Sequence, residues 1–197
     1  MSAAPPRYAY PHVIDNGGGE RLVFTGRVPG AAGERVVGEN LVSPGAGPPM
    51  HVHHLQTEGL RVLEGRMGYQ RLGDAERFAE PGEEVVFAAG EAHRFWNAGE
   101  GPLRCSAWVE PPDNIEYFLT ELLDSTRRNG GGRPHALEAA FLLTRYRSEF
   151  GMPAIPEPVQ RFVFPLLVMI GRLTGRYRRY RDAPEPVRRR PPREVLS

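Results

Sequence analysis

Three histidines fall within four positions of the stretch PPMHVHHLQTEG, at His51, His53 and His54, and Glu58 follows five residues after His53. Alternate side chains of an extended strand share a face, so His51 and His53 are expected to point together and His54 the other way. Two imidazoles placed so can hold one ion and leave neighbouring coordination positions for groups from elsewhere. A short turn would bring the Glu58 carboxylate into the same set, and a His/His/carboxylate set suits first-row transition metals. A histidine pair on a strand is also common as plain polar surface, so this stretch alone does not establish a metal. A second stretch, PGEEVVFAAGEAHRFWNAGEG, repeats the theme of turn, strand, glycine turn and then His93 and Asn97.

Together the two stretches resemble the paired motifs of the cupin superfamily. The first motif, G-x5-H-x-H-x(3,4)-E-x6-G, is met without departure by Gly45, His51, His53, Glu58 and Gly65. The second, G-x5-P-x-G-x2-H-x3-N, is met by Gly82, Gly90, His93 and Asn97, with Ala88 in place of the proline, a turn residue that ligates nothing. The resemblance covers roughly residues 20 to 110. It implies a jelly-roll barrel that holds one divalent transition metal (iron, manganese, nickel, copper or zinc) through His51, His53, Glu58 and His93. Asn97 and Gly65 are read as turn and hydrogen-bonding positions.

Three imidazoles and a carboxylate leave one or two positions open on a five- or six-coordinate ion, as a reactive site requires. The first reading is an oxygenase, dioxygenase-like, acting on a small organic molecule. An isomerase, decarboxylase or lyase using the ion as Lewis acid is the second. A ligand-binding cupin without turnover is the third. Glu58, the one carboxylate among the ligands, is the candidate catalytic proton acceptor. Phe87, Phe95, Trp96, Trp108, Tyr69, Met67 and Cys105 are candidates for a pocket lining, with plain core packing the commoner fate of each aromatic. Cys105 has no histidine partner in its own stretch and reads as a buried structural thiol; Arg61 and Arg66 are expected to face solvent.

The elements that must position these groups are short strands. RLVFTGRV (21–28), ERVVGENLV (34–42), GLRVLEG (59–65), RMGYQRL (66–72), EEVVFA (83–88) and LRCSAWVE (103–110) are apolar-rich or alternating, and Gly- and Pro-rich turns separate them. Strands at this spacing suggest an all-β sandwich or barrel. From Pro111 the pattern becomes helical: Ile115, Phe118, Leu119, Leu122 and Leu123 make one apolar stripe, with Asp113 or Asn114 as N-cap. A second helix is expected over 135–150 and a third over 159–180, kinked near Pro165. The organisation is therefore mainly β: an arm at 1–19, a barrel at 20–110, a helical appendage at 111–180 and a loose basic tail at 181–197. Cupin chains with three C-terminal helices and a Pro-Val-Gln start to the last are similar here, at Pro158, Val159 and Gln160; they imply architecture and no substrate.

Composition narrows the rest. All 25 basic residues are arginine, which excludes lysine Schiff-base and lysine general-base mechanisms. The triple glycines at 17–19 and 130–132 lack the spacing and the lysine of a phosphate-binding loop. The single cysteine cannot form an internal disulfide, and the N-terminus has no continuous apolar stretch of a secretory signal, so a cytoplasmic protein is expected. From Arg172 onward nine arginines face three acids, but no nucleic-acid-reading module accompanies them. Contact of residues 159–180 with a membrane surface is the weaker alternative to burial of that helix within protein. The expected partners are a small-molecule substrate or ligand and, from the resemblance, a second copy in a homodimer.

Overall fold

The computed structural model describes residues 8–31 and 33–188. Eleven strands and three α-helices follow one another in these residues. The strands are β1 (His12–Asp15), β2 (Glu20–Gly30), β3 (Gly33–Val42), β4 (Val52–His53), β5 (Thr57–Glu64), β6 (Met67–Arg71), β7 (Arg77–Ala79), β8 (Glu84–Phe87), β9 (His93–Asn97) and β10 (Leu103–Glu110). Helices α1 (Ile115–Arg128) and α2 (Ala136–Arg145) come next, then β11 (Phe150–Gly151) and α3 (Phe164–Leu173).

All strand pairings are antiparallel. A six-stranded sheet runs β1-β2-β3-β10-β5-β8, a three-stranded sheet runs β7-β6-β9, and β11 pairs with β4. The architecture is the mainly β one expected, with the helices after it. Alternation decides the inner face: Leu60 and Val62 of β5, Val85 and Phe87 of β8, and Leu103 and Cys105 of β10 pack together with Met67 and Phe95. A second apolar core lies between the sheet and the helices. There Ile14, Leu22, Phe24, Val36 and Val109 meet Ile115, Phe118 and Leu123 of α1, Leu142 and Tyr146, and Phe164 and Val168 of α3. The helices thus share a core with the sheet. The stretch read as an arm also contributes, since β1 pairs with β2 from His12↔Phe24 to Asp15↔Arg21.

Several local readings are corrected. Asn114 occupies the N-cap of α1 but does not cap it with its side chain; Nδ2 donates instead to Glu149 Oε1 at 2.7 Å and to the Glu185 carbonyl at 3.0 Å. The second helix stops at Arg145 rather than at 150, because Phe150 and Gly151 turn into a strand beside β4. The third segment is not one kinked helix. Val159–Val163 form a wider π-helical turn ahead of Pro165, which sits in the first turn of α3, and Gly175 in the left-handed region (φ 69°) separates α3 from a 3-10 turn at Arg176–Tyr180. Proline lacks the N–H that would continue the regular ladder, and a π turn absorbs the mismatch.

The tail expected to be loose from 181 is held through residue 187. Tyr146 Oη donates to the Pro184 carbonyl at 2.9 Å, Ser148 Oγ to the Val187 carbonyl at 2.8 Å, and Val187 N to Glu149 Oε1 at 2.8 Å. Residues 1–7 and 189–197, the ends of the expected arm and tail, lie outside the described residues. Among the described residues no helix is long and apolar enough to cross a membrane.

Motif glycine Gly65 has a physical reason for its identity. Its φ is 83°, and a Cβ there would lie 2.5 Å from the Pro102 carbonyl oxygen and 3.0 Å from Leu103 Cα. Gly73 has a similar φ of 90° with open space around it. We expect Gly73→Ala to cost about 1 kcal/mol for backbone conformation alone, and Gly65→Ala about 2 kcal/mol or more, because backbone atoms must move as well. Urea unfolding midpoints of the two variants would check this; equal losses would mean that the contact with Pro102 is accommodated freely.

Candidate metal centre

The two histidine stretches are clipped together by their backbones. His51 N donates to the His93 carbonyl at 2.9 Å and His93 N to the His51 carbonyl at 2.8 Å, while Gly90 N donates to the His53 carbonyl at 2.7 Å. His53 stands on β4 and is held from the other side by β11, in register with Phe150. His54 N donates to the Glu149 carbonyl at 2.7 Å, so the chain beyond the barrel helps to fix the histidine strand. Glu58 stands on β5, opposite Phe87 of β8 and Val109 of β10.

These elements bring His51, His53, Glu58 and His93 into one cluster, whose candidate ligand atoms all lie within 4.8 Å of one another. Glu58 Oε2 is 2.9 Å from His93 Nε2, 3.7 Å from His53 Nε2 and 3.9 Å from His51 Nε2. Metal–ligand bonds of about 2.1 Å put two ligands on one ion roughly 3 to 4 Å apart, so small side-chain movements suffice for all four to share a centre.

The tautomers are also set. His51 Nδ1 lies 2.9 Å from the Pro49 carbonyl and His93 Nδ1 2.8 Å from the Glu91 carbonyl. A carbonyl only accepts, so each Nδ1 carries a proton and Nε2 is the nitrogen turned toward the cluster; that of His93 shares a hydrogen bond with Glu58 Oε2 at 2.9 Å, which an ion would replace. Phe87 stacks on the His93 ring at 3.8 Å between centroids and 3° between planes, which fixes its orientation further. His54 is exposed and lies against Gly151, away from the cluster, as the strand geometry predicted.

Electrostatics suits cation binding. Burial pushes the Glu58 carboxyl up, but the three facing imidazoles prevail and hold it well below the usual carboxylate range. Burial pushes His53 down to about 3, so it stays neutral despite the nearby carboxylate. Burial likewise disfavours the charged form of His51, but Glu58 outweighs it and raises that pKa. Glu58 thus supplies the ionised carboxylate that a metal ion needs, and an ion would displace the protons that His51 and His93 share with it.

A cavity of about 70 Å³ opens beside the cluster. His51, His53 and Glu58 line it, and Leu22, Phe24, Val36, Leu119 and Leu123 are among its apolar walls. Of the lining residues expected from sequence, Phe95 and Trp108 border this cavity. Phe87 backs His93 instead; Met67, Tyr69 and Cys105 belong to the barrel core. Trp96 lies over Gly68, beneath the Arg94 guanidinium at 4.8 Å. Burial pushes the Cys105 thiol up to about 12, which agrees with its reading as structural. Arg66 pairs with Glu80 at 3.0 Å and Arg61 is exposed, so neither reaches the cavity. Asn97 is structural, donating through Nδ2 to the Val42 and Gly101 carbonyls at 2.7 and 2.8 Å.

Sequence reasoning missed two polar residues of the cavity wall, Glu20 and Asn40. A signal was present: Val36, Gly38, Asn40 and Val42 are alternate residues of β3, and Asn40 breaks their apolar row.

A family model described as "Cupin domain" matches residues 40–110. Two curated relatives are similar over 68 residues. "Probable oxidoreductase virH" of Hypocrea virens is 31% identical over 34% of this chain and 31% of its own length. "Probable oxidoreductase patJ" of Aspergillus clavatus is 32% identical over 34% of this chain and 21% of its own. The chain therefore covers about a third or less of these relatives. Among solved structures, a cupin-superfamily sugar phosphate isomerase of Silicibacter pomeroyi is 21% identical, covering 48% of this chain and 60% of that one, with a TM-score of 0.41. A predicted oxalate decarboxylase of Thermotoga maritima is 19% identical, covering 50% and 90%, also with a TM-score of 0.41. The matched family model and the two motifs agree on the same residues, and the chain carries a cupin-type domain.

Proposed function

We propose that this chain is a metal-dependent cupin oxygenase acting on a small organic molecule, with the ion held by His51, His53, Glu58 and His93. The observation that carries the reading is the cluster itself, three imidazoles and one carboxylate within 4.8 Å, beside a cavity with largely apolar walls. The oxidoreductase names of the two relatives support oxidation over Lewis-acid chemistry. A redox-active divalent ion bound there would supply electron transfer between substrate and dioxygen.

The chain's own residues supply positioning and proton handling. The Pro49 and Glu91 carbonyls orient His51 and His93, and Phe87 holds the His93 ring in plane. Glu58, kept ionised, is the carboxylate placed to accept a substrate proton for the duration of a turnover. Leu22, Phe24, Val36 and the α1 residues Leu119 and Leu123 keep water from the substrate body.

The test is oxygen uptake by protein purified without chelator or nickel affinity, with a panel of flavonols, catechols and diketones. We expect about one redox-active ion per chain and uptake with at least one class, abolished by chelation. Stoichiometric zinc with no uptake, before and after reconstitution with iron, manganese, copper or nickel, would overturn the oxygenase reading in favour of Lewis-acid chemistry.

A further inference from the structure

The cavity has a second polar locus besides the histidine cluster. Asn40 stands on the inner face of β3, in register with Leu22 of β2 and Cys105 of β10, and is 5% exposed. Its Nδ2 donates to Glu20 Oε1 at 3.3 Å. Its Oδ1 is buried and has no hydrogen-bond partner among the described residues. Glu20 in turn accepts from Asn16 Nδ2 at 3.5 Å, and Glu20 and Asn40 both line the cavity that His51, His53 and Glu58 border.

A buried amide oxygen without a donor is costly, and neighbouring inner positions hold Val36 and Val42 without difficulty. The bond to Glu20 accounts for the amide nitrogen but not for the oxygen. A ligand hydroxyl would supply the missing donor.

We propose that Asn40 and Glu20 form a specificity subsite for a hydroxyl group of the ligand, in the same cavity that His51, His53 and Glu58 border. The locus presents acceptors, Asn40 Oδ1 and the Glu20 carboxylate, so it takes a neutral donor and repels an anionic end group. With Leu22, Phe24, Val36, Leu119 and Leu123 around it, the ligand class is a small apolar molecule bearing a hydroxyl, phenolic or alcoholic. This rests on the reading of the cavity as the substrate site, and it concerns recognition and not turnover.

The experiment is a binding titration on the metal-depleted full chain, followed by nuclear magnetic resonance, with three probes of similar size: phenol, toluene and benzoate. We expect phenol to bind about ten-fold more tightly than toluene and to move the Asn40 side-chain amide signal, with benzoate the weakest of the three. Asn40→Leu should remove the preference for phenol in a protein that a thermal melt shows to be folded. Glu20→Gln, which keeps the side chain's length and replaces one acceptor with a donor, should recover benzoate binding toward that of phenol. Equal binding of phenol and toluene, binding of none of the three, or a preference that survives Asn40→Leu would each overturn the subsite. A marked loss of stability in Asn40→Leu with the preference unchanged would assign Asn40 to packing instead. Because no metal takes part, failure of the oxygen-uptake test with the phenol preference intact sinks the oxygenase reading alone. The reverse pattern sinks the subsite alone.

Discussion

His93→Ala protein should emerge from purification with its metal gone, at less than about a tenth of an ion per chain where the wild type carries about one. The effect is expected to be large because His93 has no substitute. Its side chain is 1% exposed, its Nε2 is the nitrogen nearest Glu58 at 2.9 Å, and its Nδ1 is tied to the Glu91 carbonyl. Removing it takes one ligand and also frees Phe87 from its stacking partner. Glu58 then faces two imidazoles in place of three and is held less firmly as a carboxylate. His54→Ala is the matched control, since His54 lies outside the cluster and should leave metal content unchanged. Elemental analysis of the three proteins, with circular dichroism melts to confirm folding, decides the matter. Retention of metal by folded His93→Ala would sink the four-ligand assignment, and a wild type that refuses every added ion would sink the metal with it.

The four clustered residues were legible because the two motifs preserve spacing, and spacing on a strand is geometry. His51 and His53 share a face for the reason that His54 does not. Six strands were legible for the same reason, from alternation or apolar runs. β1, β4, β7, β9 and β11 were not; β4, β7 and β11 are two or three residues long and too short to show a period. Their pairing is a tertiary fact: β11 exists because the chain after α2 turns back onto β4, and this is what shortens α2. Asn40 and Glu20 escaped notice because their inward direction depends on register across β2, β3 and β10, which only the assembled sheet supplies. The apolar stripe of α1 was plain in the sequence, but that Leu119 and Leu123 close the cavity beside the metal cluster was not. The helical segment is thus part of the site's support, through β11 beneath His53 and α1 across the cavity.

That support hangs on one buried carboxylate, and replacing it should produce the largest stability change outside the barrel. Glu138 of α2 is 0% exposed and receives Arg128 Nη2 of α1 at 2.6 Å and Arg176 Nε of the 3-10 turn at 3.0 Å. Burial pushes its pKa up, but Arg128, with Ser125 and Arg176, more than offsets this and brings it from 4.5 to about 2. The sign follows from the depressed folded value. The unfolded chain binds the proton more tightly, so the stabilisation is complete above the unfolded pKa and is lost as pH falls from there toward about 2. A shift of this size corresponds to at most roughly 3 kcal/mol. We therefore expect Glu138→Gln to lower unfolding stability near neutral pH by about 2 to 3 kcal/mol, because two guanidinium groups lose their shared counter-charge. The deficit should shrink as pH falls below 4.5 and all but vanish near 2, since protonation then removes the same charge from the wild type. Asp124 is untouched by the substitution and is also held at about 2, first against burial and then by Arg128, Arg179 and Arg127, so part of the acid sensitivity must persist in the variant. Denaturant unfolding of both proteins at pH 7, 4.5 and 3 gives the comparison. Parallel pH profiles would mean that Glu138 is protonated or unpaired in the folded protein and that the helices are held by their apolar core alone.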